Sequence, residues 1–453
     1  MRVEKDFLGE REIPAEALYG IHSLRAAENF ALGYRPAHPR LIRAMILVKK
    51  AAAQTWESLG VKVATYRFII AACDSLLSEL PEGVFIVDAL QGGAGTSSNM
   101  NINEVIANTA LQIAGKHPGD YMCVHPLEDV NLGQSTNDVY PTALRIAAVE
   151  LLRELSGQCG KLQDSLQRKE NEFADVKKLG RTELMDAVPV TLGAEFGAYA
   201  QAIARDRWRL YKIEERLRQV NLGGAAVGRE AVAPGGKQRK YRQRVVETLR
   251  QLCGIGLAAA EYPMDITQNC DVFVEVSGLL KALSVNLTKI ANDFRLMASG
   301  PSGGIGEIFL APLQAGSSIM PGKVNPVLPE MVMQCAIKVQ ANDYAIGVAA
   351  SRGEFELNAF VPLIADALLE SLSLLARSVL LFRERCVEVL TPNRDRCAAL
   401  LASSSAFAMA WVPCLGYETV ARILSENGGD LRQARQALEE AARRGEGDFF
   451  PPG

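Results

Sequence analysis

FVEVSGLLKALSVNLTKIANDFRLM, residues 273–297, is the stretch from which the fold can be read. Its apolar side chains fall at Phe273, Val276, Leu280, Leu283, Leu287, Ile290, Phe294 and Met297, stepping three and four without a break. That spacing lines them along one face of a single helix, in the seam pattern of helices packed almost parallel. A seam this long needs partners, and the sequence offers them. Leu144, Ala148, Leu151, Leu155, Cys159, Leu162 and Leu166 repeat the same steps, and further helical patterns fall at about 190–219, 329–350 and 361–384. No β-rich run of comparable strength appears. The expectation is an all-α chain built around a long helical bundle.

Punctuation suggests three spans. Residues 1–134 mix shorter helices and turns and form an N-terminal, mainly helical domain. Residues 135–390 carry the long helices. A short C-terminal helical domain, 391–453, opens at TPNRD and ends in the non-helical FFPPG. Within the central span, residues 299–323 hold six glycines and three prolines in 25 residues. A loop of that length inside a compact protein is usually functional or disordered.

Composition narrows the function classes. The chain has 453 residues, 48% hydrophobic and 22% charged, with a net charge of −3. No basic field points to nucleic acid or to an anionic membrane, and no apolar run reaches the roughly 18–20 residues of a membrane span. The opening MRVEKDFLGER mixes charges of both signs and has no apolar core, so we expect no signal or transit peptide and a cytoplasmic protein. Nine scattered cysteines contain no C-x-x-C pair and read as buried thiols. Only four histidines occur, His22, His38, His117 and His125, so a mechanism that needs a histidine base has few candidates.

Polar clusters stand at the ends of the helical segments. GGAGTSSNMNINE, residues 92–104, joins glycines, which permit close backbone approach, to the neutral hydrogen-bonding groups of Thr96, Ser97 and Asn99. GQSTNDVYPT, residues 133–142, sets Ser135, Thr136, Asn137 and Asp138 ahead of Pro141, which fits a first-turn position. A helix start offers free N–H groups and suits a carboxylate, although Ser-Thr-Asn-Asp before a helix is also an ordinary cap. GRTELMDAVP, residues 180–189, reads as a polar connection between two long apolar segments. GSSIMPGKVNP, residues 316–326, places Lys323 and Asn325 after paired serines.

Taken together, in this order, these clusters resemble the aspartase/fumarase superfamily. GSSIMPGKVNP is close to that family's signature. The resemblance runs from LGEREIPAEALYGIHSLRAAENF, residues 8–30, to GYETVARI, residues 416–423. It implies a three-domain chain forming a homotetramer around a 20-helix core, with each active site shared among three subunits. It also implies an anti elimination on a small four-carbon dicarboxylate or amino acid, giving fumarate. Ser317 would be the general base, acting as an alkoxide on the Gly-rich loop. Lys323 and Asn325 would hold the α-carboxylate. Thr96, Ser135, Thr136 and the backbone of Ser318 would hold the β-carboxylate and its developing charge. Asn137 and Thr182 would orient the substrate. No cofactor is implied and no His/Cys-type metal spacing occurs, while activation by Mg²⁺, seen in some members, has no motif that decides it.

Glu183 departs from the family, whose members carry histidine or glutamine there. A carboxylate at this place repels a dianion but attracts an ammonium group, so the resemblance implies deamination of L-aspartate. Three readings compete with it: a fumarate hydratase, a lyase for another N-substituted aspartate, and a non-catalytic structural relative. Glu183 paired with Arg181 or Lys178, never touching substrate, is a further alternative. GGAAVGRE, residues 223–230, stands where relatives read GGTAIGTG, so Ala225 lacks a hydroxyl and Arg229 adds charge. The basic GGKQRKYRQR follows it, and the C-terminal span is shorter than in typical aspartases.

Overall fold

In a computed structural model of the chain, residues 1–229 and 236–445 are described. Glu230, the first glycine of GGKQRKYRQR and the terminal FFPPG lie outside them. In chain order the elements are β1 (Arg2–Asp6), β2 (Gly9–Ile13), α1 (Ile21–Asn29), α2 (Pro39–Ser58), α3 (Val63–Ser78), α4 (Thr96–Ile113) and α5 (Thr136–Glu172). They continue with β3 (Lys177–Thr182), β4 (Met185–Thr191), α6 (Leu192–Leu217), β5 (Gln219–Val220), α7 (Gln238–Cys253), β6 (Ala258–Ala259), α8 (Pro263–Gln268) and α9 (Asp271–Met297). The rest are β7 (Ile308–Phe309), α10 (Val327–Ala350), α11 (Val361–Phe382), β8 (Thr391–Pro392), α12 (Arg394–Ala402), α13 (Val412–Leu415), α14 (Tyr417–Glu426) and α15 (Leu431–Arg444). Helix dominates, and the described strands form four two-stranded sheets. Among the described residues no single helix is long and apolar enough to cross a membrane.

Every residue of the α9 seam named above is buried, and so is every one of the α5 seam. Each Val, Leu, Ile, Phe or Met among them contributes about 1.5–3 kcal/mol when removed from water, so the seams outweigh modest local propensity. α10 differs, because it carries two apolar stripes. Val332, Ala336, Val339 and Ile346 are buried, while Ile337, Tyr344 and Val348, spaced as a second seam, are exposed.

The chain divides into two compact units. The first comprises Met1–Gly157, Asp206–Ser284 and Cys335–Arg377. Here Glu104 of α4 fixes the start of α1: its buried carboxylate accepts the N–H groups of Gly20, His22 and Ser23 at 2.8–3.0 Å and the Ser23 hydroxyl. An acid at a helix N-terminus satisfies otherwise free donors. Trp56 of α2 stacks on Tyr241 of α7 with ring centroids 4.4 Å apart. The second unit comprises Gln158–Arg205, Val285–Gln334 and Ser378–Gly453. Its core is an aromatic cluster in which Phe196 meets Phe173, Tyr199 and Phe294, and Phe294 meets Phe382, with centroids 5.3–5.7 Å apart. The hairpin β3–β4 and the long loop before α10 belong to this unit.

Candidate functional site

The first unit brings four of the expected residues to one cavity. Thr96, Ser135, Thr136 and Asn137 line a space of about 670 Å³, together with Asn99, Asn131, Gln134, Ala225 and Ala226. Thr96 is presented by a turn in which Gly93, Ala94 and Gly95 all take positive φ, at +81°, +57° and +95°. Gly95 is also the point of closest approach. A Cβ there would collide with the ring of Tyr140 in α5.

The start of α5 forms the opposite wall. Ser135 Oγ accepts the Asn137 N–H at 3.2 Å, and Asp138 Oδ1 accepts the Ser135 N–H at 2.9 Å, a reciprocal capping arrangement. The other Asp138 oxygen accepts the N–H groups of Gly223 and Ala225 at 3.0 and 2.9 Å, and Asn137 Nδ2 donates to Ala226 O at 2.8 Å. The GGAAV segment is thereby pinned to the helix start by its backbone. Pro141 does not take the first-turn position that its sequence context suggests. It lies inside α5, one turn further on. A proline there leaves the carbonyl four residues earlier without its helical donor. That carbonyl belongs to Asn137, and Asn221 Nδ2 supplies the missing hydrogen bond at 2.9 Å.

A polar layer lies behind the cavity. Asn99 Nδ2 donates to Thr136 Oγ1 and to Asn131 Oδ1, both at 3.2 Å. Asn131 Oδ1 also accepts from the fully buried Lys49 Nζ at 2.8 Å. Burial pulls the Lys49 ammonium down to about 7, against the pull of Asp138. Burial likewise pushes Asp138 up to about 6, even though it accepts three backbone N–H groups.

In the second unit, GRTELMDAVP is not a plain polar connection. It is the heart of a β-hairpin, with Thr182 paired to Met185 across a two-residue turn. Glu183 and Leu184, the central pair, take positive φ of +53° and +66°, as a type I′ turn requires. Thr182 and Glu183 are both exposed. The proposed partners of Glu183 are engaged elsewhere: Arg181 Nη1 is 2.9 Å from Glu307, and Lys178 Nζ is 2.7 Å from Glu195 and 2.9 Å from Glu307. Glu183 has no ion-pair partner among the described residues.

The loop of the second unit holds the remaining four. Ser317 Oγ accepts the N–H groups of Ile319 and Met320 at 3.2 and 3.0 Å. The loop closes on itself through Gly316 N–H to Lys323 O at 2.8 Å and Asn325 Nδ2 to Gly316 O at 2.9 Å. Ser318 and Lys323 are exposed, and Lys323 has no ion-pair partner among the described residues.

Residues 9–341 match the protein family described as Lyase. An aspartate ammonia-lyase from a Bacillus species is 44% identical over 428 residues, covering 94% of this chain and 90% of its own. The chain belongs to the aspartase/fumarase superfamily. Another aspartate ammonia-lyase, from Pseudomonas aeruginosa, is 45% identical over 450 residues, covering 97% of this chain and 94% of its own. Among solved structures, a fumarate lyase:delta crystallin from Brucella melitensis bound to cobalt has a TM-score of 0.91 at 43% identity, covering 99% of this chain and 100% of that one. A recombinant class II fumarase from Schistosoma mansoni has a TM-score of 0.88 at 29% identity, covering 97% and 95%.

Of the residues in and behind the cavity, Asp138 announces itself through the S-x-x-D spacing of a capping box, and others escape a reading by motif. Asn131 and Gln134 sit in a stretch with no periodicity. Lys49 hides in an apolar helix beside Lys50, and nothing local shows that it faces inward.

Proposed function

We propose that the chain is an ammonia-lyase of the aspartase type, removing ammonia from L-aspartate to give fumarate. The observation that carries the reading is Ser317. A serine is a weak base unless its anion is stabilised, and two backbone N–H groups already point at its oxygen. Fixed donors of this kind stabilise an alkoxide without reorganising during reaction. The alkoxide takes the proton from the carbon beside the β-carboxylate, whose oxygens receive the electron pair. The pair then forms the new double bond, and the C–N electrons leave with nitrogen as ammonia.

The other roles follow from chemistry and from the resemblance. Thr96, Ser135, Thr136 and Ser318 stabilise the β-carboxylate as it gains charge. Lys323, an exposed cation with no acid partner among the described residues, holds the α-carboxylate with Asn325. Asn137 and Thr182 orient the substrate. Glu183, exposed and without an ion-pair partner among the described residues, attracts the ammonium group; at about 4 Å a unit pair is worth roughly 1–4 kcal/mol between bulk water and a protein-surface dielectric. The same carboxylate suits a bulkier cationic amine, which keeps a lyase for another N-substituted aspartate as the second reading.

The exposed seam of Ile337, Tyr344 and Val348 supports a homotetramer, since an apolar helix stripe is stable only when covered. In that assembly different copies contribute to each active site. Nine free thiols suit a reducing compartment, and we place the enzyme in the cytoplasm.

The test is purified protein with L-aspartate and then L-malate, following fumarate by ultraviolet absorbance. Fumarate from malate but not from aspartate would sink the ammonia-lyase reading. Ser317→Ala should lower turnover by several orders of magnitude while the oligomer persists, and near-normal turnover would remove Ser317 from its role.

A further inference from the structure

Lys178 and Arg181 stand three residues apart in β3. In a regular strand an odd separation sends two side chains to opposite faces. Both nonetheless reach one carboxylate. Arg181 Nη1 donates to Glu307 Oε1 at 2.9 Å, and Lys178 Nζ lies 2.9 Å from Oε2 as an ion pair without hydrogen-bond geometry. The hairpin is irregular between them. Leu179 pairs with Pro189 but Arg181 with Asp186, so β4 carries one extra residue opposite Gly180, and the two long side chains converge where the ladder is broken. Gly180 has no room for a side chain there: a Cβ on it would press to 2.6 Å from Val188 O.

Glu307 is completely buried, and its main chain is tied on both sides. Its N–H donates to Met297 O at the end of α9 at 2.7 Å, and its carbonyl accepts the Asn393 N–H at 2.8 Å, just before α12. β7 follows at once and pairs with β8. Arg396 of α12 donates to Gly304 O and Ile305 O, both at 2.9 Å, so the root of the loop is clamped from two directions. Beyond Phe309 the chain runs out to the largely exposed segment that carries Ser317. One buried side chain therefore joins the hairpin bearing Thr182 and Glu183 to the root of the loop bearing Ser317.

Stability does not account for such a cluster. Desolvation offsets most of the attraction within a buried ion set, and apolar side chains of similar size often serve as well. A set of charges at fixed distances gives something else, a single geometry. We propose that Arg181, Lys178 and Glu307 are positioning residues, which hold the hairpin tip and the root of the Ser317 loop in one arrangement. The proposal rests on the reading of Ser317 as base and Thr182 as substrate ligand.

The experiment compares Arg181→Gln, Glu307→Gln and the double variant in the full chain, with L-aspartate, well below each thermal midpoint. Misplacement by about an ångström costs on the order of a hundredfold. Each single variant should lose about 10–100-fold in kcat/KM, more in kcat than in KM. Either substitution breaks the same tie, so the double variant should fall no further than the worse single. Arg181→Lys, which keeps the charge, should recover part of the loss. Values of kcat and KM within twofold of wild type in both singles overturn the proposal.

A second readout needs no activity. In Glu307→Gln, the amides of Arg181 and of β7 should exchange with solvent at least tenfold faster, while amides along the α9 seam keep their rates. Unchanged exchange at those amides overturns the positioning role. Wild-type protein that makes fumarate from no substrate counts instead against the proposed function, and exchange then decides this inference alone.

Discussion

Gly95→Ala tests how the cavity is assembled. Gly95 precedes α4 at φ +95°, and the new Cβ would collide with Tyr140, lying 2.7 Å from its Cε2 and Cγ. Tyr140 is 1% exposed and cannot swing into solvent. Forcing an L side chain into left-handed backbone costs about 1–2 kcal/mol, and overpacking a tight core costs about 1–3 kcal/mol. Stiffening the unfolded chain returns about 0.4–1 kcal/mol. The expected net loss is roughly 2–4 kcal/mol, a large share of the 5–15 kcal/mol typical of a folded protein. Since Thr96 follows Gly95 and Tyr140 sits one turn beyond Thr136, the two walls should also shift, and KM for the substrate should rise about tenfold.

The assay is denaturant unfolding with parallel kinetics, repeated in a Tyr140→Leu background. If the clash is the cause, Gly95→Ala should cost at least about 1 kcal/mol less when the ring is gone, which is the coupling expected of residues in contact. An equal penalty in both backgrounds, or a loss below about 1 kcal/mol in the first, would show that the turn tolerates a side chain and that the reasoning is wrong.

Three further outcomes follow. Glu183→Gln should raise KM for L-aspartate with little change in kcat; an unaltered KM would mean that the exposed carboxylate does not meet the ammonium group. Asn221→Ala should destabilise by about 1–3 kcal/mol, because it strands the Asn137 carbonyl that Pro141 leaves without a donor, and chemical unfolding would show no change if that carbonyl finds water instead. Lys49 falls from 10.5 to about 7 on folding. Between those values the unfolded chain binds more protons, so this residue's contribution to stability increases as pH rises through that window. Wild type should therefore gain a few kcal/mol on Lys49→Met between about pH 7 and 10, and a flat difference across the window would refute the burial argument.

The parts of the structure that could be read in advance share a cause. The α5 and α9 seams are periodic over many turns, and a helix places every third or fourth residue together without help from distant chain. Gly316 to Asn325 was legible as a loop because glycine and proline interrupt helices and strands where they stand. The hairpin at residues 180–189 was not legible. Its turn uses Glu183 and Leu184 at positive φ, where asparagine and glycine are the usual signal, and β4 is largely exposed and so shows no apolar alternation. Pro141 was misplaced because its tolerance inside α5 depends on Asn221, which is far away in sequence.

The sequence by itself determined the long helices, the loop with its serines and lysine, and the family, since each is written in consecutive residues. Only the tertiary structure decided where the charges go. Whether Arg181 answers Glu183 or Glu307 depends on the register of a hairpin whose second strand carries an extra residue opposite Gly180, and on a carboxylate 126 residues away. Side-chain partners are chosen by distance and burial in three dimensions, and neither is a property of neighbouring letters.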